Sequence, residues 1–387
     1  MIPLVKDTFQ GDGATREGLA GFVRTAKQLS MGEHCLMFER EFAAKIERQY
    51  AVCVSSGSAA NLLLVQALMN LGRLRKGDQV VASAVTWPTS VMPLIQFGLE
   101  VDTVDVETET LNVSPGTLYK CWQCRTKALF LTHALGLCDD IYEIVDTCRA
   151  QGIILIEDAC EALGSLATGN RPLGQFGLAA TFSFYVGHQL STIEGGMVVT
   201  DDYDLYNQLV IARSHGWDRN LDEPMRTALR RHGNSFYDSF TFHQNAFNCR
   251  PTEITGFLGR EQLRHLDSAA DKRDANFKRL SAATRENPDI LPLSSGHMRR
   301  LSALAFPVVA KTEQAAKRFR QLAAAAGVET RPIIGGNIAR QPFFERQAKI
   351  RWNHPGADAI HDRGLYFTCR PDLTDDELSS LCLMLEP

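Results

Sequence analysis

TFSFYVGHQLSTIEGGMVVT, residues 181–200, reads as strand, tight loop, strand. Thr181 to Tyr185 is short, β-branched and aromatic, as a buried strand requires, and Gly187 breaks the run. Gly195 and Gly196 punctuate the next segment, Met197 to Val199 resumes an apolar strand, and Asp201-Asp202 ends it. Between the strands stand His188, Gln189, Ser191, Thr192 and Glu194. A plain connection between two buried strands needs fewer hydrogen-bonding groups than this; such density marks a site.

Upstream, Gly152 to Ile156 is an apolar strand that runs into Glu157-Asp158-Ala159-Cys160-Glu161. A carboxylate placed directly after an apolar run is costly unless a donor or cation meets it, so Asp158 calls for a partner. The plainer reading of Asp158 and Glu161 is acidic charge at a helix N-terminus. Further strands are expected at Ala51–Val54, in QVVASAV, and at Glu100–Val104 and Ala128–Leu131. Helices are expected at Ala14–Gln28, at Leu36–Tyr50 with a stripe of Phe38, Phe42, Ile46 and Tyr50, at Ala59–Met69, at Asp140–Gln151 and at Asp201–Arg213. Such alternation gives an α/β fold with a mostly parallel sheet, and ligands in these sheets sit beyond the C-terminal strand ends.

Two more strand ends carry candidate groups. Ser55-Ser56-Gly57-Ser58 turns from a strand into the helix that begins at Ala59; free backbone N–H groups beside small hydroxyls suit a phosphate, and equally describe an ordinary Ser-capped helix. Trp87 follows QVVASAV and offers a flat apolar face, for a ligand or simply for the core. Beyond RSHGWDRN (213–220), the polar stretch LDEPMRTALRRHGNSF carries Arg226, Arg230 and Arg231 and reads as an excursion over the site. A large domain over 1–245 and a small C-terminal domain over 246–387 are expected, the latter with helices at 252–266, 269–283, 312–326 and 375–383 and strands at 303–309 and 365–368.

The chain has 387 residues, 44% hydrophobic, with a formal net charge of -4. That balance points to neither nucleic acid nor an anionic membrane. No apolar run is long enough to span a bilayer and the N-terminus lacks a signal-peptide pattern, so the cytoplasm is the expected compartment. Ten cysteines lie mostly in apolar contexts, and the one CxxC, Cys121 to Cys124, has no second pair to complete a zinc set.

Ser183-Phe184-Tyr185-Val186-Gly187-His188, followed by Glu194-Gly195-Gly196, resembles the coenzyme loop of the DegT/DnrJ/EryC1/StrS sugar aminotransferase family, vitamin B6 enzymes acting on nucleotide-linked keto sugars. There S-F-x-x-x-K leads to E-G-G, and the lysine holds pyridoxal phosphate as a Schiff base. His188 stands in the lysine's place, and HGWDRN is similar to a motif of the family's dehydratase branch. The resemblance implies an aspartate aminotransferase-like fold (pyridoxal phosphate fold type I), with a small C-terminal α/β domain and a homodimer with shared active sites. It implies Gly57, Ser58, Ala59 and Ser183 around the coenzyme phosphate and loop, Trp87 on the pyridine ring, Asp158 at the pyridine nitrogen, and Glu161 near the phenolic oxygen or substrate. It further implies Asn248 reaching a phosphate across the dimer interface, Arg250 at the same junction, His215 and Arg219 contacting substrate or coenzyme, and Arg331 at the substrate edge.

Histidine forms no stable imine with the coenzyme but can act as a base near neutral pH. The implied reaction is therefore C3 dehydration of a nucleotide-linked 4-keto-6-deoxyhexose, with GDP-4-keto-6-deoxymannose favoured. Pyridoxamine 5'-phosphate would be held non-covalently and regenerated by L-glutamate. The catalytic set would be His188, Asp158, Glu161 and His215. Three alternatives stay open. One is an aminotransferase using another lysine, although Lys120 and Lys127 precede a strand and Lys76 precedes Gly77-Asp78, none at the coenzyme end of a strand. The second is a CDP-sugar dehydrase of the iron–sulfur branch, whose members carry cysteines where GWDRNLDEPMRTALRRHG has none, so no iron–sulfur cluster and no metal are expected. The third is a non-catalytic coenzyme-binding homologue.

Overall fold

Runs rich in β-branched and aliphatic residues become the strands of one seven-stranded sheet in the computed structural model, which describes residues 1–121, 125–230, 235–347 and 353–387. In chain order these are β1 (Tyr50–Val54), β2 (Gln79–Ser83), β3 (Glu100–Val104), β4 (Thr126–Thr132), β5 (Ile154–Asp158), β6 (Ala179–Ser183) and β7 (Gly196–Thr200), arranged β1-β7-β6-β5-β4-β2-β3. The five strands from β3 to β6 are mutually parallel, and β7 and β1 pair antiparallel beside them. Helices cover both faces, which is why β2 and β7 are buried along their whole length. On one face Phe38 and Phe42 of the helix Glu33–Lys45 pack on Phe182 and Phe184; the Phe42 and Phe182 rings meet edge to face at 5.1 Å. On the other face the helix Gly57–Asn70 sends Leu63 and Leu64 against Phe130 and Ile156. Burying each such side chain contributes about 1.5–3 kcal/mol.

Two boundaries differ from the sequence-based expectation. The helix after Met31 stops at Lys45, so Phe38, Phe42 and Ile46 are buried but Tyr50 is not on that stripe. Glu47 adopts a left-handed φ of 56°, which ends the helix, and Tyr50 opens β1 and stacks on Tyr206 at 4.6 Å. Strand β6 ends at Ser183, because Phe184 turns to accept the Thr192 N–H and Tyr185 points to solvent.

The C-terminal part contains a two-stranded antiparallel sheet, β8 (Ala305–Val309) and β9 (Gly364–Thr368), flanked by the helices Leu266–Thr284, Glu313–Ala325, Pro355–Arg363 and Asp375–Leu385. Contacts cross the 245/246 position in both directions. The Ile2 N–H bonds the Gly327 carbonyl at 2.7 Å. The Glu253 carboxylate caps the helix Glu33–Lys45 from outside, accepting N–H groups of Gly32, His34 and Cys35 at 2.8, 2.9 and 3.0 Å. Among the described residues no helix is long and apolar enough to cross a membrane.

Candidate active site

The C-terminal ends of β2, β4, β5 and β6 open onto one cavity of about 580 Å³. At its floor the helix Gly57–Asn70 presents its N-terminus, with Ser56 Oγ accepting the Ala59 N–H at 3.0 Å. Close packing leaves no room for a side chain at Gly57 or Gly196. A Cβ on Gly57 would lie 2.6 Å from Ser183 Cβ, and one on Gly196 would lie 2.3 Å from the Ser56 carbonyl oxygen. The register explains it: Gly196 pairs with both Val54 and Ser183, so the cradle and the coenzyme-type loop are neighbours across β7. Gly57 and Ser58 line the cavity, and Ala59 belongs to the same first helical turn without lining it.

Asp158, last residue of β5, is the anion of the site. Its Oδ2 accepts from Asn61 Nδ2 at 3.2 Å and Ser90 Oγ at 2.5 Å, and its Oδ1 accepts the Cys160 N–H at 3.1 Å. Strand alternation sends the adjacent Glu157 to the opposite face. There it bonds His133 Nε2 at 2.9 Å and the N–H groups of Gly174, Phe176 and Gly177 at 2.8, 2.7 and 2.7 Å. Burial alone would raise the Glu157 pKa, but His133 and these N–H groups outweigh it and hold the carboxyl below its usual range. Glu157 is a structural clamp and Asp158 a cavity group, a difference one residue of register decides.

Glu161 accepts the Leu135 N–H at 2.8 Å. Burial raises its carboxyl to about 7, the Leu135 N–H opposing and the Asp158 charge adding. His188 lies on the turn after β6, its N–H bonded to the Tyr185 carbonyl at 2.9 Å and its ring edge-on to Tyr185 at 5.9 Å. Burial lowers the imidazole to about 4; Asp158 opposes this and Arg273 reinforces it. The ring is therefore neutral at pH 7, a proton acceptor. The neighbouring Gln189 amide fixes the turn by donating to the carbonyls of Glu161 and Ser302. Trp87, 55% exposed, forms part of the mouth, and Arg331 edges it, with its backbone paired to Tyr366 and its guanidinium 2.9 Å from Glu329.

One chain brings together Gly57, Ser58, Trp87, Asp158, Glu161, Ser183, His188 and Arg331. It does not bring His215, Arg219, Asn248 or Arg250 to the cavity; all four are exposed. Their segments are zipped together by the Ser214–Asn248 and Trp217–Phe242 bridges, and Arg250 Nε donates to Asn248 Oδ1 at 3.0 Å. Backbone ties this assembly to the cradle, the Ser55 N–H meeting the Cys249 carbonyl at 3.0 Å. Arg219 lies over Trp217 at 5.2 Å. The arginines of the polar excursion are held by acids rather than freed for a ligand, Arg226 by Glu223 and Arg230 by Asp218. Arg231 and Cys124 lie outside the described residues.

Asn61, Ser90 and Thr132 were not anticipated as site residues. Asn61 had a legible signal, a lone amide inside the apolar run AANLLLV.

A pyridoxal-type coenzyme fits these groups. The glycine-only cradle takes a phosphate at the helix N-terminus, the Trp87 face takes a ring, and Asp158 is clamped to meet a protonated ring nitrogen. Among the described residues no lysine lines the cavity, and no group of three His, Cys, Asp or Glu side chains is placed to hold a metal.

Known proteins agree with this geometry. The chain is 36% identical over 353 residues to the GDP-4-keto-6-deoxy-D-mannose 3-dehydratase of Escherichia coli O55:H7 (strain CB9615 / EPEC), covering 89% of each chain. It superposes with a TM-score of 0.92, at 31% identity and over 100% of both chains, on a GDP-4-keto-6-deoxymannose-3-dehydratase H188N mutant with bound GDP-perosamine. The same dehydratase with a trapped PLP-glutamate geminal diamine also gives 0.92, at 31% identity and full coverage of both chains. Residues 15–386 match the DegT/DnrJ/EryC1/StrS aminotransferase family along almost the whole chain, and the protein belongs to that family.

Proposed function

We propose that this protein is a coenzyme B6-dependent 3-dehydratase of a nucleotide-linked 4-keto-6-deoxyhexose, GDP-4-keto-6-deoxymannose being the favoured substrate. The observation that carries the reading is a neutral histidine, His188, in a cavity whose described lining holds no lysine and also holds a clamped aspartate, Asp158. Overall, the C3–oxygen bond of the sugar breaks, the aminated carbon of pyridoxamine phosphate is oxidised to the aldehyde, and ammonia leaves; L-glutamate then restores the amine and departs as 2-oxoglutarate. When bound, the coenzyme supplies an amine for the C4 ketone and a ring that takes up the electrons of the broken C–H bond.

The chain's own residues do the rest. His188 removes the proton from C4′, which a neutral imidazole can do at pH 7. Asp158, held by Asn61, Ser90 and the Cys160 N–H, keeps the ring nitrogen protonated so that the ring accepts electrons. Glu161, titrating near 7, can hold a proton at the phenolic oxygen or at the departing C3 hydroxyl. With no lysine among the described residues of the cavity to return the proton to the sugar, expulsion of the C3 hydroxyl is the open course. Trp87 covers the ring and Arg331 faces the carboxylate or sugar side.

The active unit in this reading is a homodimer. The exposure of Asn248, Arg250, His215 and Arg219 on one zipped surface supports their service to the partner's cavity. Phe236, Tyr237, Phe240 and Phe242, 73%, 70%, 64% and 55% exposed in the single chain, supply apolar area for the same contact.

The test is incubation of purified protein with pyridoxal phosphate, L-glutamate and GDP-4-keto-6-deoxymannose. One ammonia and one 2-oxoglutarate per deoxygenated sugar is the expected outcome. A stable 4-amino sugar would make the protein a transferase instead.

A further inference from the structure

Behind the turn that carries His188 lies a second, polar cavity of about 270 Å³. Gly187 and His188 form part of the wall between it and the coenzyme cavity. Its other walls are the segment Leu4–Asp12, Gln262, Arg273 and the turn Arg370–Asp372. Arg273 comes from the helix Leu266–Thr284 and is only 6% exposed. Its Nη1 donates to the carbonyls of Ala303, Leu304 and Cys369 at 2.9, 3.1 and 3.4 Å, while its Nε meets no acceptor among the described residues.

The other deeply buried arginines are neutralised. Arg213 pairs with Glu39, and Arg370 pairs with Asp372 and Glu377. Among the described residues the hydrogen-bond partners of Arg273 are carbonyls alone, with no carboxylate. Holding an unpaired cation out of water costs several kcal/mol, and three carbonyl bonds could be met by a neutral donor. The charge itself is the feature that packing does not explain, and His188 is among the residues that share its cavity.

We propose that Arg273 is a positioning residue for His188: its buried charge, set across the rear cavity, disfavours the imidazolium and so keeps the ring an unprotonated base at neutral pH. The proposal rests on the base role of His188 given above. Burial is the larger cause of the ring's low pKa, Asp158 opposes it from the front, and Arg273 reinforces it from behind. The remaining charged groups offset Arg273 only in part: the charge of Asp372 reaches it, but Arg370 shares that carboxylate. At the rear, Asp12 is engaged by Arg16 and Asp372 by Arg370, while Lys6 and Asp7 are exposed at the rim, where water screens them. At the front, Glu161 holds its proton up to about 7, and Glu194 and Arg331 sit at the cavity wall with the phenols of Tyr185 and Tyr366.

The test is direct titration of His188 in the coenzyme-free chain, by NMR of ¹⁵N-histidine-labelled protein, with the signal assigned by its loss in His188→Asn. In the wild type, His188 should titrate well below the ordinary histidine value of about 6.5. Arg273→Met should raise its midpoint by about one pH unit, about tenfold in proton affinity, and Arg273→Lys should restore most of the shift. Gln10→Glu, which adds a carboxylate at the same cavity without touching the buried core, should raise the midpoint as well and decides the matter if Arg273→Met does not fold. A folded Arg273→Met or Gln10→Glu protein with an unmoved His188 midpoint would overturn the proposal. A midpoint that moves in protein that eliminates no C3 hydroxyl would leave the electrostatic link standing and remove the catalytic reading instead.

Discussion

Ser90 Oγ donates to Asp158 Oδ2 at 2.5 Å, joining the helix that follows β2 to the end of β5 across the parallel sheet. With Asn61 from a third element and the Cys160 N–H, it fixes the carboxylate that the ring nitrogen must meet. A hydrogen bond to a charged acceptor contributes about 1.5–3 kcal/mol. Ser90→Ala should therefore weaken pyridoxal phosphate binding about tenfold or more, read by absorbance titration. Unchanged affinity would mean that Asp158 is oriented by other means.

His188→Asn should bind the coenzyme and lose elimination by about a hundredfold or more, the usual scale for a general base. His188→Lys should place an amine in the cavity and create a visible absorption band from a lysine–coenzyme bond. Absence of that band in a folded, coenzyme-loaded variant would mean that residue 188 does not face the reactive carbon.

Glu161 makes stability depend on pH. Its folded pKa, about 7, lies above the ordinary 4.5, so the folded state binds the proton more tightly. The stability this proton provides is fully present below pH 4.5 and is lost as pH rises through 7. Glu161→Gln should leave the Tm of coenzyme-free protein nearly unchanged at pH 4.5 and raise it above wild type at pH 8. His188 has the opposite sign: its folded pKa of about 4 lies below 6.5, so its contribution is present above 6.5 and is lost as pH falls through 4. His188→Asn should lack that acid-side loss.

A shared active site predicts complementation. His188→Asn and Arg250→Ala homodimers should each be weak, because each lacks one half of both sites. Subunits mixed and reassorted one to one should regain about a quarter of wild-type turnover, since half the dimers are hybrids with one intact site. No recovery from a demonstrably reassorted mixture would place Arg250 in its own chain's site or outside any site.

The sheet and the strand-end groups were legible because they rest on local rules. Apolar runs marked β4 and β5, glycines marked the turns at Gly57 and Gly195-Gly196, and Asp158 stood out as a charge after an apolar strand. The misplaced Tyr50 was decided by the left-handed turn at Glu47, which helical periodicity does not reveal. Ser90 escaped because a serine in a sequence does not show which distant carboxylate it meets; its partner lies 68 positions away. His215, Arg219, Asn248 and Arg250 are a different case: the resemblance, not any local rule, assigned them to a site, and this chain's cavity does not include them.

The most direct test of elimination by an imidazole base follows the oxygen. With GDP-4-keto-6-deoxymannose carrying ¹⁸O at C3, wild-type protein supplied with pyridoxal phosphate and L-glutamate should yield a sugar without the label, and His188→Asn should leave the labelled sugar intact. A sugar that keeps its C3 label and gains nitrogen at C4, or full label loss in His188→Asn, would contradict it.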